Sequence, residues 1–237
     1  MCHMHLVVFD VDGTLISADR SHVGDGCFWR AVREIFELAP DDSCWVDGLR
    51  HVTARCIAAQ LCEQRCSRIA MESELEALVV RYDALLAIAL SREVEEGYGT
   101  RGARELFSWL NASSEYACAI ATGCFRRTAQ RKLHKAGLML SGVPLAASDT
   151  YVSREEIMRS SLEQAERRYA CSYSCITYVG DGLWDLAAAC NLGWNFVGIS
   201  SGKQAEEMRR AGAEHVLPHF SPIEEFRDRL EHIALAR

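Results

Sequence analysis

Short apolar runs ending at polar turns recur along the chain. Leu6-Val7-Val8-Phe9 is the first, rich in β-branched residues, and it stops at Asp10 with Gly13 close behind. Runs at 116–121, 175–179 and 194–199 end in the same way, at Thr122-Gly123, Gly180-Asp181-Gly182 and Ser200-Ser201-Gly202. Such runs suit buried parallel strands, which carry apolar residues toward both faces. Each of the later three precedes a helical pattern, over 124–136, 183–192 and 203–211. Repeated strand-loop-helix units predict an α/β fold, a doubly wound parallel sheet with Rossmann-like crossovers. Ligands of such folds sit beyond the carboxyl ends of the strands.

Residues 17–97 break this rhythm. Their periodicity predicts helices over about 24–38, 45–66 and 72–92 and little strand. Pro40-Asp41-Asp42-Ser43 separates the first two, with Asp42 or Ser43 as a cap for the second. The stretch is predicted to be an all-helical module inserted after the first strand. The core domain would then comprise 1–16 and 98–237, and the inserted cap 17–97. Hinges are expected at Ser17–Arg20 and Glu95–Gly99, where Gly97 and Gly99 allow backbone rotation.

Composition narrows the field. The 237 residues are 49% hydrophobic, enough to bury a large core. The net charge of -7 disfavours nucleic acid and anionic membrane as partners. No run approaches the roughly 20 apolar residues of a membrane span, and the N-terminus lacks the cationic start and apolar stretch of a signal peptide, so a cytoplasmic protein is expected. The 11 cysteines include no Cys-x-x-Cys pair and read as reduced, mostly buried thiols. Cys2, His3 and His5 read as a loose terminus rather than a metal tail.

The chemistry collects at the predicted strand ends. Asp10 and Asp12 flank one residue directly after the first strand. Asp181 follows another strand, and Asp185 lies four residues on, where one helical turn returns it to the same side. Each acid has an ordinary reading as well, as a solvated loop acid or a first-turn helix acid. Four carboxylates on neighbouring strand ends repel one another, so some must protonate or a cation must bind. An all-oxygen donor set suits Mg²⁺. Thr122-Gly123 combines a hydroxyl, free amides and a helix start, as an anion site does. Arg154, at the start of a helix, is the leading cation for that anion, ahead of Lys132, Lys135 and Arg159.

In order and spacing these residues resemble the four loops of the haloacid dehalogenase-like superfamily. The loops are Asp10-Val11-Asp12-Gly13-Thr14, Thr122-Gly123, Arg154, and Gly180 to Asp185. The helical insertion after the first loop is similar to the C1-capped, phosphoglycolate phosphatase-like subfamily. Arginine stands where that family more often has lysine. The resemblance implies a phosphatase that forms an aspartyl-phosphate on Asp10, with Asp12 as general acid and base. Thr122, Gly123 and Arg154 would hold the phosphoryl group. Asp10, Asp181, Asp185 and the Asp12 carbonyl would hold Mg²⁺. Asp12 argues against a dehalogenase, which typically lacks that acid. The absence of lysine from 17–99 argues against a Schiff-base phosphonoacetaldehyde hydrolase. A β-phosphoglucomutase-like mutase remains an alternative, as does a non-catalytic phosphate- or metal-binding scaffold. The expected substrate is a small phosphorylated metabolite, acted on by a monomer or homodimer. Arg20, His22, Arg50, His51 and Arg55 are the cap residues expected nearest to it.

Overall fold

The computed structural model describes residues 4–39, 46, 48–138 and 141–235. Its centre is a six-stranded sheet, parallel throughout, in the order β3-β2-β1-β4-β5-β6. The strands are β1 (His5–Phe9), β2 (Tyr116–Ala121), β3 (Leu145–Ala146), β4 (Cys175–Gly180), β5 (Asn195–Ile199) and β6 (His215–Leu217). β1 lies between β2 and β4 and pairs with both over all five residues. Its side chains alternate between two cores, as a pleated strand requires. Val7 and Phe9 face one core, where the Phe9 ring lies 5.1 Å from Phe107 and 6.4 Å from Phe226. Leu6 and Val8 face the other, with Ile157, Met158 and Leu186. All four β1 side chains are fully buried, each contributing roughly 2 kcal/mol of transfer free energy.

Helices α1 (Ala18–Phe36), α2 (Ala54–Cys66) and α3 (Glu72–Leu90) form the insertion. The chain leaves and rejoins at adjacent points: Ile16 and Gly99 form an antiparallel bridge, and the Ser17 amide donates to the Tyr98 carbonyl at 3.0 Å. After it come α4 (Ala103–Ala112), α5 (Arg126–Lys135), α6 (Arg154–Tyr169), α7 (Leu183–Leu192), α8 (Gly202–Arg210) and α9 (Ile223–Leu235). No helix among the described residues is long and apolar enough to cross a membrane.

Some boundaries differ from the sequence expectation. α1 begins at Ala18, not 24. α2 begins at Ala54 instead of 45, because Thr53 caps it by accepting from the Cys56 amide at 3.3 Å. Pro40 to Ser43, and with them the expected cap at Asp42 or Ser43, lie outside the described residues, as do Cys2 and His3. His5 is no part of a loose tail: it is buried in β1, with Nε2 2.8 Å from Thr177 Oγ1. The nine cysteines described are all free thiols.

Candidate active site

The first loop is built around one carbonyl. Val11 O accepts the amides of Thr14, Leu15 and Ile16, so the chain turns sharply after β1 and leaves Asp10 and Asp12 at the sheet edge. Gly13 has φ +74°, and a Cβ there would lie 2.0 Å from the Asp181 carboxylate. Only glycine lets the two loops approach this closely. Across the gap, α7 opens on Gly182, whose amide donates to Asp185 Oδ2 at 2.9 Å. That bond fixes Asp185, which is fully buried, beneath the loop.

Asp10, Asp181 and Asp185 each present an oxygen to a common point, these atoms lying within 4.8 Å of one another. Asp10 Oδ1 and Asp185 Oδ1 are buried and accept no hydrogen bond. Burial raises all three carboxyls, and a neighbouring carboxylate adds to it in each: Asp12 beside Asp10, Asp185 and Asp10 beside Asp181, and Asp10 beside Asp185. Asp181 rises well above the usual carboxylate range, and Asp185 is pushed up to about 7 by burial, against the pull of Arg154. Asp10 rises through burial as well, with Arg154, the Val11 amide and the Thr122 hydroxyl opposing. Three converging carboxylates carry more negative charge than the one guanidinium of Arg154 beside them can balance, which fits a hard divalent cation.

The Asp12 carboxylate does not join this trio. It faces Lys132, whose Nζ donates to both its oxygens at 2.8 and 2.7 Å, while Cys124 Sγ lies 2.6 Å from Oδ2. Of the four carboxylates at the strand ends, three converge and the fourth is paired with a lysine. Lys132 is only 2% exposed. Burial is the strongest single influence and would neutralise it, but Asp12, Cys124 and Tyr82 together hold it above the usual lysine range. Its passage is a slot over Gly24 of α1, where a Cβ would stand 2.9 Å from Lys132 Cε and Nζ. The sequence ranked Lys132 as a minor candidate. Its signal is its place beside Ala129 and Leu133 on the buried face of α5, where an ion must have a partner.

Arg154 sits where the sequence placed it, at the first position of α6 after the Ser153 cap. Its Nη1 is 3.3 Å from Asp10 Oδ1, 3.1 Å from Asp185 Oδ1 and 3.2 Å from the Tyr178 hydroxyl. Its Nη2 donates to the Val52 carbonyl of the insertion at 2.9 Å. Thr122 is buried at the end of β2, and the Gly123 carbonyl accepts the Ala54 amide at 2.7 Å. A Cβ on Gly123 would meet Arg154 Nη2 and Val52 O at 2.8 Å each. Thr53 Oγ1 donates to the Val152 carbonyl at 2.7 Å, so residues 52–54 dock directly on both phosphate-binding candidates.

A cavity of about 340 Å³ lies between sheet and insertion. It is lined by Asp10, Asp12, Thr122, Gly123, Arg154 and Asp181, and from the insertion by Ser21, Asp25, Phe28, Ile57 and Tyr82. The five polar residues expected over the site are not among its lining. Arg20 pairs with Glu93 at 3.0 Å, Arg50 with Glu63 at 2.9 Å, and Arg55 with Glu72. Lys135 donates to the Glu93 carbonyl and Arg159 is exposed. Charge and spacing alone do not tell which side of α1 and α2 meets the core, and the inward stripe runs through smaller and more apolar residues.

No curated protein matches the chain by sequence. Solved structures do share the fold. A haloacid dehalogenase hydrolase of family IA, variant 3, from Entamoeba histolytica superposes with a TM-score of 0.68 at 20% identity, covering 95% of this chain and 98% of that one. CbbY from Rhodobacter sphaeroides, crystallised with phosphate, gives 0.61 at 19% identity over 93% and 96%. A predicted phosphoglycolate phosphatase from Haemophilus somnus gives 0.61 at 16% identity over 94% and 98%. At these identities the likeness speaks for the fold. The family profile of haloacid dehalogenase-like hydrolases matches residues 4–193, which take in strands β1 to β4, the whole insertion and every acid of the site: the chain belongs to the haloacid dehalogenase-like hydrolases.

Proposed function

We propose that the chain is a Mg²⁺-dependent phosphatase acting on a small phosphorylated metabolite through an aspartyl-phosphate on Asp10. The observation that carries the reading is the convergence of Asp10, Asp181 and Asp185 on one point beside Thr122, Gly123 and Arg154. Asp10 has two tasks there. One oxygen belongs with the metal trio, and its carboxylate borders the cavity where a phosphoryl group would enter. Asp10 attacks phosphorus, the ester oxygen leaves, and water then cleaves the acyl phosphate. Asp12 delivers the proton to the leaving oxygen and later takes one from water. Lys132 and Cys124 hold its carboxylate at the cavity wall. Thr122 and the Gly123 amide receive phosphoryl oxygens, and Arg154 balances the charge on Asp10 and the phosphate. Asp10, Asp181, Asp185 and the Asp12 carbonyl would hold Mg²⁺, which when bound neutralises the carboxylates and the incoming phosphate. The helical insertion acts as a cap, and its covering of the site favours a small substrate over a folded phosphoprotein.

The test is phosphate release from p-nitrophenyl phosphate and a metabolite panel, with Mg²⁺ and with EDTA, for the wild type and Asp10→Asn. Mg²⁺-dependent release that the substitution lowers by at least about 10³-fold agrees with the reading. Equal release from the Asn variant would overturn it.

A further inference from the structure

Resting on the phosphatase reading, we infer that Asp25 and Ser21 select the leaving group, so that the substrate is the phosphate monoester of a neutral or cationic alcohol and carries no second anion. The argument starts from one face of α1. Ser21, Gly24, Asp25 and Phe28 recur at the spacing of a helical stripe on which Gly24 and Phe28 are buried, Ser21 is half-buried and Asp25 stays exposed. Gly24 makes room for Lys132, while Ser21, Asp25 and Phe28 line the cavity. The phosphoryl end of the cavity is set by Asp10, Thr122 and Arg154, so the α1 stripe borders the end where the ester's alcohol must lie.

The charges at that end are already allotted. Among the described residues lining the cavity, Lys132 and Arg154 are the cations. Lys132 is bound to both oxygens of Asp12, and Arg154 to Asp10 and Asp185. The nearby arginines of the insertion, Arg20, Arg50 and Arg55, point to Glu93, Glu63 and Glu72. Asp25, by contrast, has no ion pair among the described residues. Partial burial and the neighbouring Asp12 raise its carboxyl, against Lys132 and His22. Ser21 donates to the Ala18 carbonyl at 2.8 Å, which leaves its oxygen free to accept. Two acceptors and an unpaired acid recognise hydroxyl or ammonium hydrogens. A carboxylate or second phosphate in that place would lie against Asp25 with no uncommitted cation, an unfavourable like-charge contact. The remaining wall is Phe28, Ile57, Tyr82 and Trp184, which suits a carbon skeleton.

The experiment compares matched esters with Mg²⁺. Glycerol 3-phosphate and 3-phosphoglycerate differ by a hydroxymethyl group against a carboxylate. Ethanolamine phosphate and phosphoglycolate set an ammonium against a carboxylate. The wild type is expected to favour the first of each pair in kcat/KM by at least about tenfold. Asp25→Asn should narrow both ratios, and Asp25→Lys should reverse them, with matched melting curves as the folding control. A wild type that prefers the carboxylate esters, or ratios that Asp25→Asn leaves unchanged, would overturn the inference while p-nitrophenyl phosphate turnover still upheld the phosphatase. No Mg²⁺-dependent turnover of any ester would remove both.

Discussion

Asp83 fastens the insertion to the core, and replacing it with alanine should loosen that joint by a calculable amount. Asp83 lies on α3 with its side chain 5% exposed. Arg131 of α5 grips it with Nε at 2.7 Å and Nη2 at 2.9 Å, and Arg127 adds a third bond at 3.0 Å. These bonds hold its carboxyl below the usual carboxylate range. Hydrogen bonds to charged groups contribute about 1.5–3 kcal/mol, but the two arginines are 39% and 58% exposed and recover water when released. A gross loss of about 2–3 kcal/mol follows, less about 0.6 kcal/mol for the better helix propensity of alanine. The net cost is about 2 kcal/mol, roughly 30-fold in an equilibrium constant. Urea unfolding reads the total, and amide exchange of α3 and α5 reads where it falls. Exchange should quicken in α3 above all. Asp83→Asn keeps one acceptor and should cost about half as much. A loss under about 0.5 kcal/mol with unchanged exchange in α3 would show that this joint is held by apolar packing instead.

Two further outcomes follow from the site. Asp181 and Asp185 have folded pKa values above their unfolded ones, so their contribution to stability is full below the unfolded pKa and lost as pH rises through the folded values, for Asp185 about 7. Mg²⁺ should therefore raise the melting temperature more at about pH 8 than at about pH 5, and a rise independent of pH would count against the acid trio as its site. Arg154→Lys keeps a cation but has one nitrogen, which cannot serve both the Asp10–Asp185 pair and the Val52 carbonyl. It should lower kcat/KM by about tenfold, against about 10³-fold for Arg154→Ala; equal losses would show that the fork of the guanidinium does not matter.

What could be read in the sequence was what repeats or what clusters. β1 and its neighbours are apolar on both faces because helices cover both, and such runs stand out without any alternation. β3 and β6 hold two and three residues, too few to show a period, and they exist because the edge of a longer strand pairs them. α9 carries a helical signal of its own, since Phe226, Leu230 and Ile233 mark its buried stripe. Asp10 and Asp181 stand out because each sits just beyond a strand, and Asp185 because it follows Asp181 by one helical turn; a parallel sheet brings strand ends together whatever the loops do.

Lys132 shows where that reasoning stops. Its distance in sequence from Asp12, 120 residues, gives no hint of contact, and the pair forms where the insertion packs over α5 and encloses the lysine. A lysine so enclosed would ordinarily lose its proton, and an aspartate at a cavity wall would ordinarily turn to solvent. Each is held by the other, at a place where Gly24 leaves room for the lysine stem. The negative charge of Asp12, one of four carboxylates at the strand ends, is thereby balanced by protein. That balance leaves three acids for the cation, and leaves Asp25 as the acid with no ion pair facing the alcohol end of the cavity.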